Sequence, residues 1–254
     1  MPQSIDAVLR ELDRVLAESR RQQSRLGYFA ALYRDVTARV KAAIENGEFD
    51  DAARMERLDV RFAERYLDAL AARGTEDGPP RVWARTFAVA ERWRPLILQH
   101  LLLGINAHIN LDLGIAADAI TTEDSLPALK DDFDRINQIL GSLVEDVQTR
   151  VAAVSPWIGT LDRLAGRADE VISNVCLVRA REDAWAFATT LAGLDADERA
   201  ETIVAKDRET ARRTDTILQP GGPWVLPHLV WIRLWETDPV PAVLSTLSRT
   251  SPVV

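Results

Sequence analysis

Apolar residues recur along most of the chain at intervals of three or four positions, which is the spacing of one face of an α-helix. The clearest example runs from Leu126 through Phe133, Leu140 and Val147 and stops before Pro156. No stretch alternates apolar and polar residues between hairpin turns, as a β-strand would. The pattern therefore predicts an all-α fold, a single-domain multi-helix bundle of about eight to ten helices around a buried central helix.

Capping residues, glycines and prolines divide this pattern into separate helices. We expect helices over about residues 5–22, 24–46, 50–73, 79–93, 95–120, 126–154, 157–164, 168–194 and 197–218, with short helical pieces at 227–235 and 241–247. Residues 1–254 are expected to form one domain. The N-terminal helix, within residues 1–23, is free to take a peripheral position, and residues 248–254 are predicted to be a flexible tail.

Composition and charge narrow the class of protein. With 47% hydrophobic and 28% charged residues, the chain is apolar enough to fold around a core. Its formal net charge of -8 and the absence of a long basic block argue against nucleic acid as a partner. Cys176 is the only cysteine, so the chain can form no internal disulfide and no multi-thiolate zinc site. The N-terminus is a charged amphipathic segment unlike a signal peptide, which predicts a cytoplasmic protein.

The most apolar segment, residues 95–120, contains His100, Asn106, His108, Asn110 and Asp112. The segment has nearly the length of a transmembrane helix, but such side chains are costly in hydrocarbon, so we expect a buried helix and no membrane partner. At about 100° per residue, these side chains do not form one continuous polar face. A buried polar group costs about 1–3 kcal/mol unless it is hydrogen-bonded, so neighbouring helices must supply partners.

The predicted partners lie on two helices that flank this segment in sequence. Asp59 and Tyr66 fall on the apolar face of the third predicted helix. Asp132 and Asn137 flank the apolar face of the helix that starts near residue 126, where a solvent-exposed position at the helix boundary is the alternative. The candidate site is therefore a network of Asp59, Tyr66, Asn106, His108, Asn110, Asp112, Asp132 and Asn137.

The segment Leu103-Gly-Ile-Asn-Ala-His-Ile-Asn-Leu-Asp-Leu113, together with segments 55–70 and 132–137 and the pair Ala184-Trp185, resembles a family of microbial helical proteins of unknown function. That family is marked by an N-A-H-I-N-x-D-L motif, and the resemblance covers about residues 25–240. It implies family membership and implies no chemistry. Where the family is expected to carry a proline after the Asp-Leu pair, this chain has Gly114. We therefore expect the central helix to break near Asp112, whose carboxylate would cap the helix that follows.

Our leading functional hypothesis is an enzyme of the lyase, cyclase or isomerase type that holds a small, partly apolar molecule between helices. His108 would transfer protons, oriented by Asp112 or Asp59. Asn106 and Asn110 would position the substrate or stabilise oxyanion charge. If no cavity of roughly 300 Å³ or more touches the segment from Asn106 to Asp112, binding of a small substrate there is implausible. Further substrate-binding residues are predicted to be Tyr66, Asp132, Asn137, His100 and Trp231, the last as part of a lid.

Two other functions stay open. A metal-dependent hydrolase would use His108, Asp112 and Asp59 as ligands of a divalent metal ion, although the sequence otherwise predicts no cofactor. A non-catalytic binding or scaffold protein would use the same polar network only to specify packing. The first two predicted helices are amphipathic and offer an interface for a homodimer.

Overall fold

The structure, a computed structural model, describes residues 2–157, 174–220, 223–237 and 239–248. Within these ranges most of the chain is helical and no strand occurs. The prediction of an all-α fold is therefore confirmed. Residues 158–164 of one predicted helix, and the predicted tail beyond residue 248, lie outside the described residues.

The α-helices are α1 (Ile5–Gln22), α2 (Leu26–Glu45), α3 (Ala52–Ala71), α4 (Arg81–Ala90), α5 (Ile97–Ala107), α6 (Leu113–Ala119), α7 (Lys130–Val154), α8 (Asn174–Ala192), α9 (Ala196–Leu218), α10 (Leu226–Trp235) and α11 (Val240–Leu247). A π-helical segment, His108–Asp112, joins α5 to α6. Short 3₁₀ turns at Leu126–Leu129 and Pro223–Val225 precede α7 and α10. Most predicted boundaries agree with these to within a few residues, because caps and prolines act locally.

The N-terminal helix α1 belongs to the core. Ser4 caps it, since the Ser4 hydroxyl accepts a hydrogen bond from the amide of Ala7 at 3.3 Å. Val8 and Leu12 are fully buried, and the helix packs chiefly against α2. The apolar face of α1 is thus covered within the chain, which leaves little apolar surface there for a homodimer interface.

The central helix, formed by α5, the π-helical segment and α6, is enclosed by other helices. It contacts α2, α4, α8 and α9. Leu103, Ala107, Asp112 and Ala117 are fully buried, so the prediction of a buried central helix is confirmed. None of the described helices is both long and apolar enough to cross a membrane. The polar side chains of the central helix therefore need partners within the protein.

The central helix does not break at Asp112, so this expectation from the sequence was wrong. The backbone of Asp112 is helical, and its side chain makes no capping hydrogen bond. The amide of Leu113 donates to the carbonyl of His108, five residues earlier, which is the pattern of a π-helix. Gly114 instead allows α6 to pack closely against α8, because a Cβ atom at this position would lie 2.8 Å from the carbonyl oxygen of Ala184 on α8.

Candidate functional site

His108 begins the π-helical segment and lies at the centre of a group of aromatic rings. The Phe62 ring stacks on its imidazole with 3.6 Å between centroids and 8° between planes. The Tyr33 ring approaches at a steep angle, with its centroid 4.5 Å away. Farther rings, with centroids 5.7–6.1 Å away, are those of Phe29, Tyr66 and Trp83. Because α2, α3 and α4 supply these rings, the imidazole is almost completely buried.

Asp112 fixes the orientation of His108. Nδ1 of His108 lies 3.1 Å from Oδ2 of Asp112, one turn farther along the helix. The same oxygen accepts a hydrogen bond from the indole N–H of Trp83 at 2.8 Å, and Arg65 Nε lies 3.5 Å from Oδ1. Because Oδ2 acts as an acceptor towards the indole, we assign the proton of the neutral imidazole to Nδ1. Nε2 then carries the lone pair and is the basic atom.

Burial also sets the protonation state of His108. Enclosure by the aromatic rings lowers the pKa of His108, and this outweighs the hydrogen bond to Asp112, which raises it. The imidazole is therefore neutral at neutral pH. Nε2 is buried and has no hydrogen-bond partner among the described residues. A basic nitrogen left unpaired in the core is destabilising by about 1–3 kcal/mol, which makes it a candidate functional atom.

An apolar cavity of about 90 Å³ adjoins His108. Its wall includes Tyr33, Phe62, Ile109 and Leu143, which come from α2, α3, the π-helical segment and α7. The cavity is smaller than the roughly 300–1,000 Å³ of most ligand sites, so by the size criterion set from the sequence it counts against a small substrate at this place. An engineered apolar cavity of about 150 Å³ in another protein takes up benzene. Only a small apolar group therefore fits beside His108 unless the walls move.

A second cavity, of about 50 Å³, shares part of the same wall. Tyr33, Phe62 and Ile109 line both cavities, whereas Asp59 and Arg181 line only the second. Oδ2 of Asp59 is buried and has no hydrogen-bond partner among the described residues. Burial raises the pKa of Asp59 to about 7, with a smaller contribution from a nearby carboxylate. Asp59 is thus near the candidate site, but the hydrogen bond that orients the histidine comes from Asp112.

We expect the ionisation of Asp59 to destabilise the fold. Its folded-state pKa of about 7 lies above the unfolded value, so the folded protein binds more protons between about pH 4 and 7. The free energy of unfolding should therefore fall as the pH rises through this window, by up to about 4 kcal/mol from this group. Urea denaturation at pH 5 and pH 8 measures this, with Asp59→Asn as the control that removes the ionisation. Identical pH dependence in both proteins would show that the carboxylate is accommodated without cost.

Analysis of the sequence missed Arg181, which reaches the second cavity from α8. Arg181, Ala184 and Leu191 fall on one face of this helix, so a cation within an apolar row was the available signal. Nε of Arg181 donates to Oδ1 of Asn137 at 2.8 Å, and Nη2 donates to the carbonyl of Phe133 at 2.6 Å. Asn137 therefore adjoins the candidate site only through Arg181.

Asn106 and Asn110 connect the central helix to α9 and line neither cavity. Nδ2 of Asn106 donates to the carbonyl of Thr210 at 3.1 Å. Nδ2 of Asn110 donates to Oδ1 of Asn106 at 3.1 Å, and Arg213 donates to Oδ1 of Asn110 at 3.2 Å. The structure thus does not bring the two amides together with the cavity beside His108.

Asp132 anchors the start of α3 and also lines neither cavity. Its carboxylate accepts hydrogen bonds from the amides of Asp50 at 2.7 Å and Asp51 at 3.0 Å. It also pairs with Arg54 at 3.1 Å and Arg135 at 2.9 Å. Burial acts to raise the pKa of Asp132, but these hydrogen bonds and charges outweigh it and lower the pKa. Asp132 is therefore a buried residue that joins α7 to the loop before α3.

The remaining predicted binding residues lie at three separate places. Tyr66 belongs to the ring group around His108 but lines neither cavity. His100 is buried elsewhere on α5, and burial lowers its pKa to about 3. Trp231, on α10, packs against Trp157 with 5.2 Å between ring centroids and is 39% exposed. It therefore forms no part of the wall around His108.

The described residues do not assemble the metal site considered from the sequence. Among them, no group of three or more His, Cys, Asp or Glu side chains is arranged to hold a metal ion. Asp112 is already engaged by His108, Trp83 and Arg65, and Asp59 faces the second cavity. This arrangement counts against a hydrolase in which His108, Asp112 and Asp59 share an ion.

Comparison with known protein families shows to which family the chain belongs. The sequence model of one family matches residues 5–220, which is most of the chain. The chain belongs to this family. The family, DUF5995, is described only as a family of unknown function, so the match confirms the resemblance inferred from the sequence without supplying a reaction. No curated protein and no solved structure matches the chain.

The candidate site lies within the part of the chain that matches the DUF5995 family. His108, Asp112, Asp59 and Arg181 all fall inside the matched range. The helices α10 and α11 follow that range, and Trp231 with them. The matched range therefore includes the residues that line both cavities. It does not include Trp231, which was predicted from the sequence to form part of a lid.

Proposed function

We propose that the protein is an enzyme that moves protons on a small, largely apolar molecule, with His108 as general base and general acid. One observation carries this proposal. Asp112 holds Nδ1 of His108, which leaves a neutral imidazole whose Nε2 is unpaired and whose ring lines part of an apolar cavity. Nε2 of His100 is also buried and unpaired among the described residues, but His100 lines neither cavity. The combination of an orienting carboxylate, an unpaired nitrogen and an adjoining cavity therefore distinguishes His108.

The chemistry follows from this arrangement. Nε2 takes a proton from the substrate, and the imidazolium that forms is stabilised by the carboxylate of Asp112. The indole N–H of Trp83 and the charge of Arg65 hold that carboxylate in place. The same proton is then returned to another atom of the substrate or to a leaving group. Elimination, cyclisation and isomerisation all proceed by such steps, so the reaction class is a lyase, cyclase or isomerase.

The apolar wall favours a substrate that is mostly hydrocarbon at the end that meets His108. Phe62 covers one face of the imidazole and the Tyr33 ring approaches it at a steep angle, so only part of the ring remains for a substrate. The low polarity of the cavity keeps the imidazole neutral and strengthens its interaction with charge that develops in the transition state. A π-helical segment at the same place is in keeping with this role, because such segments are frequent at functional sites.

Exchange of carbon-bound hydrogen for deuterium tests the proposal without knowledge of the complete reaction. The protein is incubated in D₂O with a panel of small carbonyl compounds and unsaturated acids, and ¹H NMR follows the loss of each signal. We expect at least one compound to exchange, and His108→Gln to slow that exchange by about 10²–10⁴-fold. His100→Gln, a second buried histidine outside both cavities, is the matched control and should keep the activity. Equal exchange by the His108 variant, or none by the native protein, would defeat the proposal.

A non-catalytic binding protein is the second candidate function. The observation that favours it is the small size of the cavity, which leaves little room for a substrate beside the rings that enclose the histidine. In that case compounds that raise the melting temperature should bind with equal affinity to the native protein and to His108→Gln, and none should exchange.

A further inference from the structure

Three arginines are buried among the described residues, and Arg181 differs from the other two. Arg150 pairs with Asp35 at 2.7 Å, and Arg233 lies 3.9 Å from Glu236. Arg181 has no carboxylate within 4 Å in the part of the chain that the structure describes. Asp134 stabilises the charge of Arg181 from a distance but does not contact it. A buried cation is costly unless it is paired, so the guanidinium is a candidate partner for an anion.

The guanidinium of Arg181 is held rigidly at the wall of the second cavity. Its Nε donates to Asn137 and its Nη2 donates to the carbonyl of Phe133. Its carbon lies 4.3 Å from the centroid of the Phe133 ring, which supports the group from one side. Burial lowers the pKa of Arg181 to about 10, so the group stays positively charged at neutral pH. These contacts leave N–H donors of the guanidinium for a ligand, since the group has five in all.

We propose that the second cavity binds the carboxylate of a small, largely apolar carboxylic acid, with Arg181 as its anchor. The hydrocarbon body of the acid extends past the shared wall into the cavity beside His108. This inference rests on the proposed function, because it names the class of substrate on which His108 acts. The two cavities share Tyr33, Phe62 and Ile109 as lining residues, so a ligand in one lies next to the other.

Charge and shape select a monocarboxylate over other anions. The planar guanidinium matches a carboxylate with two parallel hydrogen bonds. Among the described residues that line the two cavities, Arg181 is the only cationic side chain, so a phosphate dianion would be left with uncompensated charge. Asp59 also lines the second cavity and, in its protonated form, supplies a donor to the bound carboxylate. The other lining residues are almost all apolar, which suits a hydrocarbon body.

The rim of the cavity beside His108 offers a route for the acid. Leu140, Val144 and Leu177 line this cavity and are each partly exposed, whereas Leu143 is buried. The first two lie on α7 and the third on α8. The proposal therefore places the entry of the acid between these two helices.

Binding of matched acids and alcohols tests the inference. The probes are 3-methylbutanoate and benzoate, with 3-methylbutan-1-ol and benzyl alcohol as uncharged counterparts of similar shape. We expect at least one acid to raise the melting temperature of the native protein and to bind at least tenfold more tightly than its alcohol in calorimetry. Arg181→Met should remove this preference, and Arg181→Lys should keep part of it. Arg179→Met, on the exposed side of the same helix, should bind the acid as the native protein does.

The outcomes separate this inference from the proposed function. Equal affinity of the native protein for acid and alcohol, or undiminished acid binding by Arg181→Met, overturns the carboxylate site and leaves the role of His108 standing. If Arg181→Met does not fold, the comparison of acid with alcohol on the native protein and on Arg181→Lys decides. Acid binding with no deuterium exchange defeats the proposed function and leaves the carboxylate site standing. His108→Gln should lose exchange and keep the preference for acid over alcohol, because that preference comes from Arg181.

Discussion

Replacing Gly104 with alanine is expected to lower the free energy of unfolding by about 3 kcal/mol. A Cβ atom at this position would lie 2.3 Å from Cγ of Phe29, far inside van der Waals contact. Phe29 has little room to retreat, because its ring stacks on Tyr33 at 5.8 Å and packs against Trp83 at 5.8 Å. Without the clash, alanine would stabilise a helix by up to about 1 kcal/mol over glycine. The sign of the change in the free energy of unfolding therefore shows whether the added methyl group clashes with Phe29.

Urea denaturation of the two proteins measures this prediction. The control is Gly193→Ala, where the nearest atom to the added Cβ, the carbonyl oxygen of Thr190, would be 4.0 Å away. That variant should lie within about 0.5 kcal/mol of the native protein. A Gly104→Ala protein as stable as this control would mean that α2 and α5 are farther apart than the structure has them.

The same contact matters for the candidate site. Gly104 lets Phe29 and hence α2 approach the central helix closely, and α2 also carries Tyr33, which lies against His108 and lines both cavities. If α2 is pushed away, the wall between the cavities moves with it. Any exchange activity should therefore fall in Gly104→Ala at temperatures where the variant is still folded.

Replacing Asp112 with alanine is expected to destabilise the protein by about 3–5 kcal/mol. The change leaves the indole N–H of Trp83 and Nδ1–H of His108 without an acceptor in the core, and it removes the charge opposite Arg65. Asp112→Asn keeps one oxygen acceptor at nearly the same volume, so it should cost about 1–2 kcal/mol. The difference between the two variants isolates the buried hydrogen bonds from the volume of the side chain.

Chemical denaturation again provides the measurement, and Asp207 supplies the control. Asp207 also accepts two hydrogen bonds, from the amides of Arg81 and Val82, but it is only half-buried. Asp207→Ala should therefore cost only about 1 kcal/mol, as expected for a helix cap. Should Asp112→Ala cost no more than Asp207→Ala, the pair of His108 and Asp112 would not be the rigid dyad on which the proposed function depends.

Much of the candidate site could be predicted from the sequence, because one segment is strongly apolar and still contains several polar side chains. Residues 95–120 form an apolar run interrupted by polar side chains, and a helix of that kind has to be buried with its polar groups paired. This reasoning identified His108 and Asp112, which the structure joins, and it placed Asp59 on the neighbouring helix α3. It also grouped Asn106, whose partner is the carbonyl of Thr210 on α9.

The grouping failed where the direction of a side chain around the helix axis decides its partner. Asn106 and His108 are two residues apart, which turns them by about 200° relative to each other. They therefore face different neighbours, although both are buried. Asp132 was assigned to the site because it lies near an apolar face, yet its oxygens bind the amides of Asp50 and Asp51. Backbone donors in a loop leave no signal in a hydrophobic pattern.

The sequence by itself determined the all-α class, most helix boundaries and the burial of the central helix, because helical periodicity is a local property. It offered Asp112 and Asp59 as alternative partners of His108, and the structure has the contact with Asp112. Only the tertiary structure decided that Trp83 donates to Asp112, that Phe62 and Tyr33 enclose the imidazole, and that Arg181 lines the adjoining cavity without a carboxylate. These contacts join helices that are far apart in the chain. Their geometry depends on interhelical distances, which the close approaches at glycines such as Gly104 set and which no local pattern records.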